Sequence, residues 1–282
     1  MKQRFAFRSV PWIFALPASL GLFAIVSPLV ALALNIPWHQ ALNLLTEQSA
    51  LQSAKLSVQT ALLSTALCGI LGIPLSLMLT KVLARSRWRV VGTLLYALIY
   101  APVILSPVVS GLALTFFWGR KGVVGAWLYS MDINVAFTSA AVVITQIFVG
   151  LPFFVAAAVT TLRAIPTEYE ELAFVEGATA WETTRKVLLP LAAPGIATAF
   201  LLAFARALGE YGATVTFAGN IAEKTRTIPL NIELMLSSNE MSQALGSSLM
   251  LISLYLIVLA LSCLMIALQR LRRTSHRQES AR

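Results

Sequence analysis

Apolar residues run along this chain in long stretches, not in the short alternations of a strand or the one-sided stripes of a surface helix. Six stretches are long enough to cross roughly 30 Å of hydrocarbon as helix: about Pro11 to Leu34, Leu56 to Thr80, Val90 to Trp118, Val135 to Leu162, Leu191 to Phe217 and Leu245 to Leu268. They predict an all-α polytopic membrane protein with six transmembrane helices in one domain over residues 1–282. One segment breaks the pattern. Thr167 to Pro190, TEYEELAFVEGATAWETTRKVLLP, is charged and amphipathic, yet it lies between two apolar stretches. Thr167 with Glu170, and Thr179 with Glu182, have capping-box spacing, so two short helices are predicted with a turn at Gly177. Their apolar residues, among them Tyr169, Leu172, Ala173, Trp181 and Val187, need a partner that lipid alone does not supply. The plainer alternative is an amphipathic helix lying among headgroups.

Composition agrees with the pattern. A chain with 58% hydrophobic and 12% charged residues, and a mean hydropathy of +0.79, is no ordinary soluble domain. A net charge of +9 would suggest nucleic acid in a soluble protein, but here the cations gather at helix ends, where anionic lipid headgroups account for them. No nucleic-acid partner is expected. With the N-terminus in the cytoplasm, Lys2, Arg4, Arg8, Lys81, Arg85, Arg87, Arg89, Arg163, Arg185, Lys186 and the tail from Arg270 to Arg282 fall inside. Lys55, Arg120, Lys121, Lys224 and Arg226 fall outside. That asymmetry predicts cytoplasmic termini and a cytoplasmic Thr167–Pro190 segment. The first stretch, flanked by Lys2, Arg4 and Arg8, exceeds the about 7–15 residues of a signal core and is read as a retained helix.

Within the apolar stretches, Pro74, Pro102, Pro107, Gly111, Pro152 and Pro194-Gly195 are expected to interrupt helices and to mark interior surfaces, since freed carbonyls need cover. Pro102 and Pro107, with Ser106, Ser110 and Gly111, make the third stretch the one expected to bend. Arg206 and Glu210 lie four residues apart on one helical face at membrane depth, where an isolated charge is costly. They form either a structural ion pair, or a functional one in which Arg206 lines an anion route or Glu210 holds a gate. Cys68 and Cys263 read as small buried hydrophobes, and His39 and His276 lack metal-ligand spacing, so no metal is expected. The run GNIAEKT, Gly219 to Thr225, is no phosphate loop, and no nucleophile–base set is visible. The chain is read as no enzyme, with no cofactor of its own and with energy supplied by another chain.

Glu171, Ala173, Gly177, Val187, Leu189 and Pro190 fall in the order and spacing of the cytoplasmic loop of permease subunits in ATP-binding cassette importers, with Leu172 in place of the usual second Ala. FARALGEYGATVTFAGN (Phe204 to Asn220), KTRTIPLNI (Lys224 to Ile232), SPVVSGLALTFFWGRKGVVG (Ser106 to Gly125) and AFTSAAVVITQIFVGLPFFV (Ala136 to Val155) resemble the molybdate branch of oxyanion importers. The resemblance spans about residues 56–268, departs from the usual Pro at Ser106, and is weak over the first fifty residues. It implies a type I importer permease fold in a bacterial-type plasma (inner) membrane. It also implies a homodimer, an external substrate-binding protein and an ATP-binding subunit that consumes ATP. Transport of molybdate or tungstate by alternating access follows from it. Sulfate and thiosulfate permeases share the Gly-Glu-Tyr-Gly core, and a proton-coupled secondary transporter using Glu210 is the further alternative. The resemblance assigns Glu171, Ala173, Gly177, Arg185 and Pro190 to coupling with the ATPase. The translocation path or gate falls to Ser106, Ser110, Arg206, Glu210 and Thr214.

Overall fold

The computed structural model describes residues 12–84 and 86–279. Lys2, Arg4, Arg8, Arg85 and Arg282 of the charge pattern lie outside the described residues, as do the side chains of Arg89, Cys263, His276 and the basic tail. The principal helices are α1 (Ala15–Asn35), α2 (Gln48–Ala84), α3 (Arg89–Ile104), α4 (Pro107–Trp118), α5 (Ser139–Arg163), α6 (Glu168–Val175), α7 (Ala180–Leu208), α8 (Gly212–Phe217), α9 (Ile228–Ser237) and α10 (Met241–Glu279). No strand occurs among the described residues. Among the described residues five helices are long and apolar enough to cross a membrane, or six when the bent pair α3–α4 counts as one.

The centre of the bundle is built by α2, α5 and α7. Ala199, Ala203 and Ala207 stand at four-residue spacing, so one stripe of α7 is smooth and the helix lies close against its neighbours. Cys68 of α2 and Phe154 and Ala158 of α5 fill that contact, and Phe154 meets Phe200 edge-on with ring centroids 5.0 Å apart. A polar seam runs through the same region. Ser53, Ser57, Thr60 and Ser64 of α2 repeat at helical spacing and are all buried. Gln146 of α5 donates from Nε2 to Thr60 Oγ1 and to the Ala207 carbonyl, each at 3.2 Å, which ties three helices at one point. The Ile228 N–H donates to Ser57 Oγ at 2.8 Å and so anchors the start of α9. With no water in the hydrocarbon to satisfy these groups, such bonds define the register between helices.

Two expectations change and a third is met. The prolines at 74, 102, 152 and 194 do not interrupt their helices: each sits inside a continuous one. A single proline removes one hydrogen bond of the ladder, and the bonds on either side carry the helix through when neighbouring helices pack against it. The third stretch does bend, by 111°, between Ile104 and Pro107. Ser106, preceding a proline, is extended at φ −62° and ψ 148°, and its hydroxyl accepts the Val109 N–H at 3.3 Å to start α4. The fifth helix ends at Leu208, short of Phe217, and α8 continues separately. Here Glu210 Oε1 accepts the Ala213 N–H at 2.9 Å, satisfying a donor that the first turn of α8 leaves open.

Helices α4 and α8, the two pieces beyond these breaks, pack on one another through glycine. A Cβ on Gly111 would stand 2.5 Å from Thr216 Cβ, and one on Gly212 would stand 2.5 Å from Pro107 Cβ. The contact exists because neither residue has a side chain.

Candidate functional site

Two places hold the residues singled out in the sequence: the loop between α5 and α7, and the break after α7. In the loop, the second predicted capping box is complete. Thr179 is extended, its Oγ1 accepts the Glu182 N–H at 3.3 Å, and Glu182 Oε2 accepts the Thr179 N–H at 3.0 Å. That N–H, together with the Lys186 ammonium and the Thr179 hydroxyl, holds the Glu182 carboxyl down at about 2; the residue lies on the exposed loop, short of the apolar part of α7. The first box does not form. Thr167 follows Pro166 in helical conformation, φ −65° and ψ −22°, which turns its hydroxyl away from the N–H groups it would have to reach. Glu168, Glu170 and Glu171 in the first turn complement the positive helix end instead, and Glu170 reaches Lys81 of α2 at 3.8 Å.

Gly177 carries φ +82°. The Ala178 N–H bonds to the Ala173 carbonyl at 2.9 Å and the Gly177 N–H to that of Phe174 at 3.0 Å, a Schellman closure of α6 with glycine at its left-handed position. Further on, residues Thr184–Leu188 form a π-turn inside α7. Pro190 has no N–H to return to Lys186, and the extra residue in the turn absorbs the misfit, with the Leu189 N–H bonding to the Thr184 carbonyl.

The loop is rooted by buried Thr183 and Leu188 and by the Lys81–Glu170 contact, while its apolar tips stand uncovered. Val175 is 82% exposed and Trp181 68%, and Tyr169, Leu172 and Phe174 are exposed with them. Of the residues assigned to coupling, Glu171, Arg185 and Pro190 are exposed on this surface, Ala173 is half-buried, and Gly177 forms the turn. The same end of the bundle holds Lys81 and Arg163. The opposite end holds Lys224, whose carbonyl accepts from Ser139 Oγ at 2.7 Å, and Arg120, whose guanidinium donates to Asn134 Oδ1 at 3.4 Å.

At the break after α7, Arg206 Nη1 meets Glu210 Oε2 at 2.7 Å. The pair is lopsided: the Arg206 side chain is 31% exposed and that of Glu210 2%. Arg206 lines a cavity of about 130 Å³ together with Pro102, Pro107 and Ser110 from α3 and α4, and Val149 and Phe153 from α5. Ser110 is buried, and its Oγ has no hydrogen-bond partner among the described residues. Thus Ser110 and Arg206 line one space, and Glu210 reaches it only through its ion pair with Arg206. Ser106 stands apart on the exposed start of α4, its hydroxyl engaged as a cap, and Thr214 is fully buried in α8, outside the cavity wall, with its own Oγ1 unpartnered among the described residues. The sequence reading missed Gln146, which bridges α2, α5 and α7, and Lys81, which steadies the loop. The four-residue rhythm of hydroxyls in α2 carried a signal for the first; nothing local in the sequence pairs Lys81 with Glu170.

A bundle with a sharply broken span and a protruding two-helix loop at one end is the fold of an importer permease. A solved bacterial ABC transporter for the acidic polysaccharide alginate has this fold, with a TM-score of 0.69, 18% identity, and coverage of 90% of this chain and 93% of that one. The chain belongs to the binding-protein-dependent transport system inner membrane component family, whose pattern it matches over residues 72–274. It is 42% identical over 248 residues to the molybdenum transport system permease protein ModB of Mycobacterium tuberculosis, covering 88% of this chain and 92% of that protein. It is also 34% identical to the sulfate transport system permease protein CysT of Escherichia coli, covering 73% of each. The protein is therefore a permease subunit of an ATP-binding cassette importer in the inner membrane, of the type I fold; it is not an enzyme, and ATP hydrolysis belongs to a separate subunit. Such permeases work with a substrate-binding protein and ATPase partners. Membership removes the proton-coupled reading of Glu210.

Proposed function

We propose that this chain carries molybdate or tungstate into the cytoplasm, as one of two identical copies between an external binding protein and two ATPase subunits. In this reading both termini and the loop 167–190 face the cytoplasm, and the chain itself binds no cofactor. Exposed apolar residues on a rigidly capped loop carry the proposal: Leu172, Phe174, Val175 and Trp181 have no cover in the bundle, and a partner cleft would bury them. Glu171 and Arg185 would add polar contacts at its rim, Ala173 close approach and Gly177 the turn, while Pro190 and its π-turn would pass movement of the loop into α7. ATP-driven closure of the partner subunits then pulls the loops together and opens the path outward; hydrolysis resets it. The higher identity to a molybdenum permease supports molybdate, and the 34% identity to a sulfate permease makes sulfate the second reading. The test is uptake by proteoliposomes holding the permease, the ATPase and the binding protein. Labelled molybdate should enter only with ATP inside and resist a large excess of sulfate. Uptake suppressed by equimolar sulfate would instead establish the second reading.

A further inference from the structure

Glu210 and the cavity beside Arg206 carry more than a structural ion pair requires. The pair uses Nη1 of a guanidinium that has five N–H donors, and the guanidinium, unlike its partner, is partly open and lines the cavity. The same cavity is lined by Ser110, buried, with a hydroxyl that has no partner among the described residues. The cavity, at about 130 Å³, is some fourfold larger than the roughly 30 Å³ of a liquid water molecule, and its remaining wall is apolar proline, valine, leucine and phenylalanine. A planar cationic fork, a hydroxyl donor and an apolar wall together suit a small oxyanion and offer little to a neutral solute.

We propose that Glu210 is a resident stand-in for the transported oxyanion. With the path empty, its carboxylate occupies Arg206. A tetrahedral dianion entering the cavity takes the guanidinium from it, with Ser110 Oγ donating to a second oxygen, and Glu210 reclaims the guanidinium as the anion leaves. The proposal rests on the oxyanion reading above and supplies what that reading lacks, a way for the path to bind a dianion without trapping it. An uncompensated arginine in a low-dielectric cavity would hold a dianion too tightly for transport, and a competing internal carboxylate lowers that affinity. The exchange also has a mechanical consequence. Glu210 Oε1 caps α8 through the Ala213 N–H, and α8 packs through Gly212 on Pro107 of α4, the helix that carries Ser110. Pulling Glu210 from Arg206 therefore loads the α4–α8 contact at the moment the anion arrives.

The test uses the permease–ATPase complex in nanodiscs for equilibrium binding of labelled molybdate, tungstate and sulfate, and the complex with binding protein in proteoliposomes for uptake. Glu210→Gln keeps an oxygen for the Ala213 N–H but frees Arg206. Oxyanion affinity should rise about tenfold while uptake falls by a similar factor, because release becomes slow. Arg206→Met should lose both. The uncharged double variant Arg206→Met with Glu210→Gln, checked for assembly by size exclusion, should stay inactive. Recovery of uptake in the double variant, or unchanged affinity in Glu210→Gln, would overturn the proposal and leave a structural ion pair. Should Glu210→Gln fail to assemble, Ser110→Ala reads the same site with all charges in place. It should weaken binding about tenfold, and unchanged binding would overturn the proposal. Wild-type uptake alongside either failure strikes this inference alone. If the wild type imports none of the three oxyanions, the oxyanion reading falls and this proposal with it.

Discussion

Gly177 has nothing within 4 Å of the place where a Cβ would stand, so a side chain there is resisted by the backbone and not by crowding. At φ +82° a β-branched residue pays about 1–2 kcal/mol, whereas asparagine visits this region with less strain. Gly177→Val should accordingly lose most ATP-coupled uptake and most co-purifying ATPase, and Gly177→Asn should retain much of both. Equal loss in the two would mean that contact with the partner, and not the turn, demands glycine. The glycine was legible in the sequence because it lies between two polar helix signals. Thr167 misled for a related reason: the Thr-x-x-Glu spacing is common to both ends of the loop, but capping also needs an extended residue, and only Thr179 has that conformation.

The first turn of α7, just after Thr179, owes its start to one reciprocal pair of hydrogen bonds, so Thr179→Ala should destabilise the loop locally by about 1 kcal/mol. It should show as faster amide exchange at Glu182. Because the carboxyl of Glu182 is held down at about 2, against about 4.3 for a free glutamate, its contribution is present above the free value and lost as pH falls through the lower one. Exchange at the Thr179 amide, corrected for its intrinsic rate, should quicken between about pH 4 and 2, and Glu182→Ala should abolish that dependence. Among the longer elements, existence and approximate place were readable from hydrophobicity, and the bend at Ser106-Pro107 from local chemistry. The ends were less readable. Helix α2 extends beyond its apolar core to Gln48 because Ser53 and Ser57 are buried against neighbours, and α7 stops at Leu208 because Glu210 turns back to cap α8.

Across the whole molecule, α1 has no buried residue, and large apolar side chains such as Leu94, Leu98 and Phe116 stand open on other helices, as a surface facing lipid or a second copy requires. Orientation is the matter to test at this scale. A cysteine at Glu171 should react with an impermeant maleimide only after the membrane is opened, and one at Glu223 should react in intact cells. The reverse pattern would place the loop away from any ATPase and defeat the coupling mechanism.

By itself the sequence determined that this chain spans a membrane, where its crossings lie, and that one charged loop breaks the apolar run, because hydrophobic length and helix caps are local quantities. It also carried, in consecutive residues, the pattern that marks the family. What tertiary structure alone decided is which polar groups meet: Gln146 with Thr60 and Ala207, Lys81 with Glu170, and the cavity of Arg206 with Ser110. Those groups are far apart along the chain, and in a medium without water their pairing depends on how the helices pack, which no local pattern encodes.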